Sequence, residues 1–175
     1  MKTKDLVLIA MYATLFTVLE YISVTFGLLK MPQGGSISIS AVALIIASYH
    51  LGFKKSLIVS AISIIIMLLI TPPYFLTVGQ FMADYVFSYM SYSTAVLFKD
   101  LRFGDKIFPT GAIMSNVLRF MWHNIAGWLF FASYYEGNVL TGVMLYNASY
   151  MVPTMIISAF LVLLIRPKLK KEIIL

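Results

Sequence analysis

The segment Ile107–Tyr134, IFPTGAIMSNVLRFMWHNIAGWLFFASY, otherwise reads as a membrane span, yet Arg119, His123 and Asn124 interrupt it. The run Phe75–Phe98 is interrupted in the same way by Asp84. An ionised side chain at the bilayer centre costs about 2.5–3.5 kcal/mol on insertion scales. Such groups persist where they face other protein, water or a ligand. Both segments therefore predict helices of a membrane bundle whose interior holds something polar.

Composition agrees. Of 175 residues, 61% are hydrophobic and 11% charged, with a mean hydropathy of +0.91. A soluble domain carries about 25% charged residues. The expected fold class is an all-α membrane protein, a single integral domain over residues 1–175. That length suits six spans with short loops. It leaves no stretch for a soluble ATPase, and no G-x-x-x-x-G-K-[ST] phosphate loop occurs. Cysteine is absent, and His50 and His123 fall in different segments, so no metal site and no cofactor are expected. The net charge of +6 does not point to nucleic acid, because the basic residues lie at the ends of apolar runs, as topology signals do. Met1-Lys2-Thr3-Lys4 before an apolar run imitates a signal peptide. The run is too long and lacks a small-residue cleavage site, so a retained first span is expected.

Six apolar segments can be drawn: Leu6–Leu29, Ile37–Leu51, Ser56–Ile70, Phe75–Phe98, Ile107–Tyr134 and Val139–Ile165. The second and third are shorter than the roughly 20 residues of a full span. With the N-terminus inside, Lys2, Lys4, Lys54, Lys55, Lys99, Arg102, Lys106, Arg166, Lys168, Lys170 and Lys171 all fall on the cytoplasmic side. Lys30 is the one basic residue of an outer loop. This asymmetry predicts a multi-pass protein of the cell membrane with both termini cytoplasmic.

Depth follows from 1.5 Å of rise per helical residue. Asp84 lies roughly 14 Å below the outer end of its segment, His123 roughly 16 Å, Asn147 roughly 12 Å and Glu20 roughly 14 Å. Four polar residues from four segments thus share one level in the outer half. Arg119 shares a helix face with His123 and lies deeper. Tyr85, Tyr146 and Tyr150 bring aromatic rings to the same layer. A carboxylate among aromatic rings suits an organic cation or a flat nitrogen heterocycle, through charge, accepted amino hydrogens and cation–π attraction. Simpler readings stand beside this one. Asp84 would pair with Arg119 inside the bundle, His123 and Asn147 would join helices by hydrogen bonds, Glu20 would face water near the outer interface, and Trp122 and Trp128 would pack. No motif fixes a nucleophile beside a base, so no enzyme is expected.

The outer loops complete the pattern. Gln33-Gly34-Gly35-Ser36, within Lys30-Met31-Pro32-Gln33-Gly34-Gly35-Ser36, has the composition of a movable lid or of an ordinary turn. Taken in order, Met31-Pro32-Gln33-Gly34-Gly35-Ser36-Ile37-Ser38, Ala83-Asp84-Tyr85, Arg119-Phe120-x-x-His123-x-x-x-Gly127-x-x-Phe130-Phe131 and Tyr146-Asn147-x-x-Tyr150-x-x-Pro153 form a set. That set resembles the thiamine-specific substrate-binding (S) components of energy-coupling factor transporters. The resemblance implies a compact six-helix bundle that binds thiamine near the outer face. It also implies partners, a transmembrane coupling protein and two cytoplasmic ATPase subunits. By motif, the family's site falls on Asp84, Tyr85, Arg119, His123, Gly127, Phe131, Tyr146 and Asn147, with Gln33–Ser36 closing over the ligand. Two positions depart: Phe131 stands where a stacking Trp is usual, and Gly142 stands where a Tyr is usual. On the first segment, Ala10-x-x-x-Thr14 is a small-residue patch of the kind associated with docking to the coupling protein, or with internal packing.

The reading is a vitamin-capture subunit in membrane lipid, with thiamine as its small-molecule substrate. Two alternatives remain open. One is an S-component for a related pyrimidine or another vitamin. The other is a small stand-alone channel or scaffold whose polar cluster is structural.

Overall fold

A computed structural model describes residues 1–27, 29–104 and 106–169 of the chain. Helix α1 spans Thr3–Thr25, α2 Ala41–Leu51, α3 Phe53–Ile70, α4 Val78–Phe81, α5 Ser88–Ser91, α6 Thr110–Phe130 and α7 Val139–Leu169. Three of these are long and apolar enough to cross a membrane: α1, α3 and α7, with mean hydropathies of 1.8, 2.2 and 2.1 over their best windows. Their outer faces carry exposed Met11, Leu15, Val18, Ile65, Leu69, Leu145, Ile156 and Phe160. So broad an apolar surface is a burden in water and is expected against lipid tails.

The short α2 is the centre of the bundle. Every residue from Ala41 to Tyr49 is buried. A helix apolar on all sides is stable only when surrounded, and α1, α3, α7 and the fourth segment pack around it. Gly52, at φ 77°, turns the chain directly from α2 into α3. Pro72 and Pro73 follow the end of α3, where no helix continues easily.

The fourth segment changes pitch along its length. It begins as α4, loosens into a π-turn at Met82–Phe87, tightens through α5 and ends as a 3-10 helix at Tyr92–Leu97. Such changes break the regular backbone ladder, and a low-dielectric interior demands that the freed groups be met. Serines meet them here. Ser48 Oγ, from α2, donates to Ser93 O at 2.7 Å and accepts from Val96 N–H at 3.1 Å. Ser60, from α3, reaches Ser93 Oγ at 3.2 Å.

Three expectations change. The second segment becomes helical only at Ala41, and residues 37–40 belong to the preceding loop. The fifth segment does not start as a helix at Ile107. Strands β1 (Leu101–Phe103) and β2 (Lys106–Phe108) form an antiparallel hairpin turned at Gly104, φ 59°, before Pro109 admits α6. Apolar Leu101, Phe103, Ile107 and Phe108 on either side of the turn at Gly104 favour that hairpin. The sixth segment runs on to Leu169 with Pro153 and Pro167 inside it. Leu28, Lys170 and Lys171, placed in the first span and the cytoplasmic tail, lie outside the described residues. Ion pairs tie the basic end together: Lys55 Nζ to Asp5 at 2.8 Å, and Arg166 to Asp100 at 2.6 Å with the guanidinium 3.8 Å from the Tyr49 ring centre. The loops at 29–40, 71–77 and 131–138 gather at the other end, where Gly34 approaches Tyr74 and Gln33 and Tyr135 border one cleft.

Candidate functional site

Asp84 is placed by the π-turn, which sets it and Ala83 toward the interior. One extra residue per turn redirects the side chains that follow, and such turns recur at functional sites. Asp84 Oδ2 accepts from Gln80 Nε2 at 2.6 Å, and Oδ1 lies 3.0 Å from His123 Nδ1. Gln80 is itself fixed, because its Oε1 accepts from Leu76 N–H at 2.6 Å. The Tyr150 hydroxyl lies 3.4 Å from His123 Nδ1 and donates to Asn147 Oδ1 at 3.0 Å. Asn147 Nδ2 in turn donates to Asn124 Oδ1 at 3.2 Å. Polar contacts therefore run from α4 through Asp84 and α6 to α7. All but Asn124 are more than nine-tenths buried. A polar network so enclosed holds its members rigidly.

This network borders a cleft with about 390 Å³ of free space, part of it open to solvent. Asp84, Tyr85, His123, Gly127, Phe131, Tyr146 and Asn147 all line it, and so do Gln33, Gly34 and Gly35. The contact of Nδ1 with a carboxylate favours the proton there, which leaves Nε2 of a neutral ring as an acceptor. Among the described residues, His123 Nε2 meets no hydrogen-bond partner. Gly127 lets α6 and α7 approach, since a Cβ there would strike Val143 Cγ1.

The Gly-rich loop closes on itself and on α7. Met31 N–H donates to Gly35 O at 2.9 Å, and Lys30 pairs with Ser36 across the turn. The Tyr146 hydroxyl accepts from Gln33 N–H at 2.9 Å and donates to Gly34 O at 3.0 Å. Gly35, at φ 94°, lies so close to Tyr150 that a Cβ would sit 2.7 Å from the ring.

Arg119 stands apart from this cleft. It donates through Nη1 to the Tyr92 hydroxyl at 2.9 Å, and its guanidinium sits 5.0 Å and 5.6 Å from the ring centres of Tyr89 and Tyr92. No Asp84–Arg119 ion pair occurs among the described residues. Arg119 borders a second chamber with Glu20 and Ser36, of about 900 Å³ and partly open. Glu20, expected to face water, is instead buried at 8% exposure, away from Asp84. Its Oε2 accepts from Ser38 Oγ at 3.0 Å and Ser40 Oγ at 2.5 Å. Gly34, Gly35, Tyr85, His123 and Tyr150 border both spaces.

Ala10 and Thr14 are exposed on the outer face of α1, while Ala13 faces inward. Trp122 packs against Phe87 with ring centres 4.8 Å apart, and Trp128 is exposed. Two contributors, Gln80 and Tyr135, escaped the sequence reading of the site, and a third, Tyr150, was read there only as an aromatic ring of the same layer. Gln80 is four residues before Asp84, the spacing that puts two side chains on one helix face. Tyr150 lies three residues after Asn147 on the same face. Tyr135 comes from the outer turn, where no periodicity marks it.

The chain matches the family described as Thiamine transporter protein (Thia_YuaJ) over residues 6–174. It is 26% identical to the thiamine transporter ThiT of Bacillus subtilis (strain 168) over 182 residues, covering 95% of this chain and 94% of that protein. Its fold is similar to that of ThiT from Listeria monocytogenes, with a TM-score of 0.77 and 16% identity, over 98% of this chain and 99% of that one.

Proposed function

The chain belongs to the thiamine transporter protein family, and from that premise we propose that it is the substrate-capture subunit of an ATP-driven vitamin importer, with thiamine bound in the Asp84 cleft. The observation that carries this reading is the Asp84 carboxylate, buried, held by Gln80 and His123, and bordering a cleft with Phe131, Tyr85 and Tyr146. Two anchored oxygens keep lone pairs pointing in set directions. They can accept amino hydrogens of an aminopyrimidine or balance a thiazolium charge. His123 Nε2 supplies a further acceptor, and Asn147 both donor and acceptor. Phe131 stacks on a ring, less strongly on a cation than Trp would. Arg119, cradled by Tyr89 and Tyr92, supports the neighbouring chamber.

In this reading the chain crosses the cell membrane six times with both termini cytoplasmic. The basic residues and ion pairs then mark the inner end, and the cleft opens outward under Gln33–Ser36. Tyr146 acts as the latch of that loop. The resemblance to energy-coupling factor S-components assigns the energy of import to two cytoplasmic ATPase subunits, acting through a transmembrane coupling protein. The exposed Ala10–Thr14 face of α1 is the docking surface for that protein.

A competition panel tests the ligand assignment. Thiamine, its aminopyrimidine half and its hydroxyethylthiazolium half are titrated separately into purified protein. Thiamine is expected to bind far more tightly than either half, because the cleft borders hold partners for both rings. Preference for the free pyrimidine would move the chain to a pyrimidine-capture role.

A further inference from the structure

Gly142 lies in the first turns of α7 with no need of glycine's conformational freedom, since its φ is not among the positive values of the chain. A glycine inside a helix destabilises it relative to alanine, so a packing cause is sought. The cause is Tyr135. A Cβ on Gly142 would sit 2.5 Å from Tyr135 Cδ1, 3.1 Å from Cε1 and 3.3 Å from Cγ. The Tyr135 ring thus fills the space that a side chain at position 142 would claim. Position 142 is one helical turn before Tyr146, on the face of α7 that carries Val143, Tyr146 and Asn147 along the cleft.

Tyr135 lines the same cleft. It follows the 3-10 turn Ala132–Tyr134, and its N–H donates to Ala132 O at 3.2 Å. Phe131, just before that turn, lines the cleft as well. The two rings come from either side of one short turn.

Building on the proposed capture role, we propose that Tyr135 is a ligand-contacting, specificity-determining residue, and that Gly142 is its positioning partner. The bare backbone of Gly142 lets a loop tyrosine lie against α7 and face a flat heterocycle, supplying a ring that the helix itself does not. With Phe131 it forms the aromatic wall of the cleft. Because Tyr135 sits on a loop, its ring can leave with the loop when the cleft opens.

A double-mutant cycle on the full chain tests the pair, with Kd measured by calorimetry for Tyr135→Ala, Gly142→Ala and the double variant. Tyr135→Ala is expected to raise Kd at least tenfold. Gly142→Ala is expected to raise it several-fold by displacing the ring, with no loss of melting temperature because alanine favours the helix. In the Tyr135→Ala background, Gly142→Ala is expected to change nothing. Tyr135→Phe should retain most of the affinity, since the ring rather than the hydroxyl forms the wall. Unchanged binding by Tyr135→Ala, or independent effects that multiply in the double variant, would overturn the proposal. The wild-type titration separates this from the thiamine assignment. If thiamine does not bind but another compound of the panel does, the cycle is run with that compound and is judged by the same outcomes. If none binds, both readings fall.

Discussion

Replacing Asp84 by Asn removes one charge and almost no volume. The carboxylate holds two protein partners, Gln80 Nε2 at 2.6 Å and His123 Nδ1 at 3.0 Å. An asparagine has one acceptor oxygen, so its amide must face one of them. Facing Gln80 would oppose two donors unless Gln80 flips, and flipping would cost the bond from Leu76 N–H to Gln80 Oε1. The asparagine oxygen therefore stays on Gln80 and its amide turns to His123, whose proton moves to Nε2. The cleft then loses a negative charge and an acceptor at Nε2 together. A hydrogen bond to a charged group contributes about 1.5–3 kcal/mol, so Kd for thiamine is expected to rise roughly 10- to 150-fold. Asp84 is 8% exposed, and an amide is cheaper to bury than a carboxylate. The melting temperature should therefore hold or rise. Calorimetry paired with thermal unfolding reads both quantities. An unchanged Kd in folded Asp84→Asn protein would refute the role of the charge.

Other substitutions probe separate parts of the account. Tyr146→Phe removes the hydroxyl that holds Gln33 N–H and Gly34 O, and stopped-flow dissociation should quicken about three- to tenfold as the loop loses its latch. Gly127→Ala forces a methyl against Val143. It should cost about 1–3 kcal/mol by overpacking and weaken binding as His123 shifts, read by thermal melting and titration. Ser48→Ala strips the groups that satisfy Ser93 O and Val96 N–H. It should destabilise the fold by about 1–3 kcal/mol while folded protein keeps its affinity, since Ser48 is remote from the cleft.

Much of the lining of the candidate site was legible because polar residues in apolar segments have few acceptable places. Asp84, His123 and Asn147 were read at one depth, and contacts through Tyr150 link them. Glu20 shared that depth and yet faces its own serines, because depth along a helix says nothing of the direction around it. Arg119 shows the same ambiguity, since a shared face with His123 does not fix its partner: a pairing with Asp84 was expected, and the side chain turns to Tyr92 instead. The pitch changes of the fourth segment were not legible. At the 3-10 end the freed groups are met by Ser48 and Ser60 from other helices, tertiary partners that no local window contains. The hairpin at Leu101–Phe108 was hidden by its apolar residues, which merged with the start of the fifth segment. Tyr135 lies in an outer turn that no periodicity marks, and its contact with Gly142 exists only in the folded chain.

The central claim is that this chain alone captures thiamine. Calorimetric titration of thiamine into the detergent-purified chain, with no partner subunit present, tests it most directly. It is preferable to tryptophan quenching because neither Trp122 nor Trp128 lines the cleft. Saturable one-to-one binding at submicromolar thiamine is the predicted result. No binding heat across temperatures, in protein with a cooperative melting transition and a helical spectrum, would contradict the account.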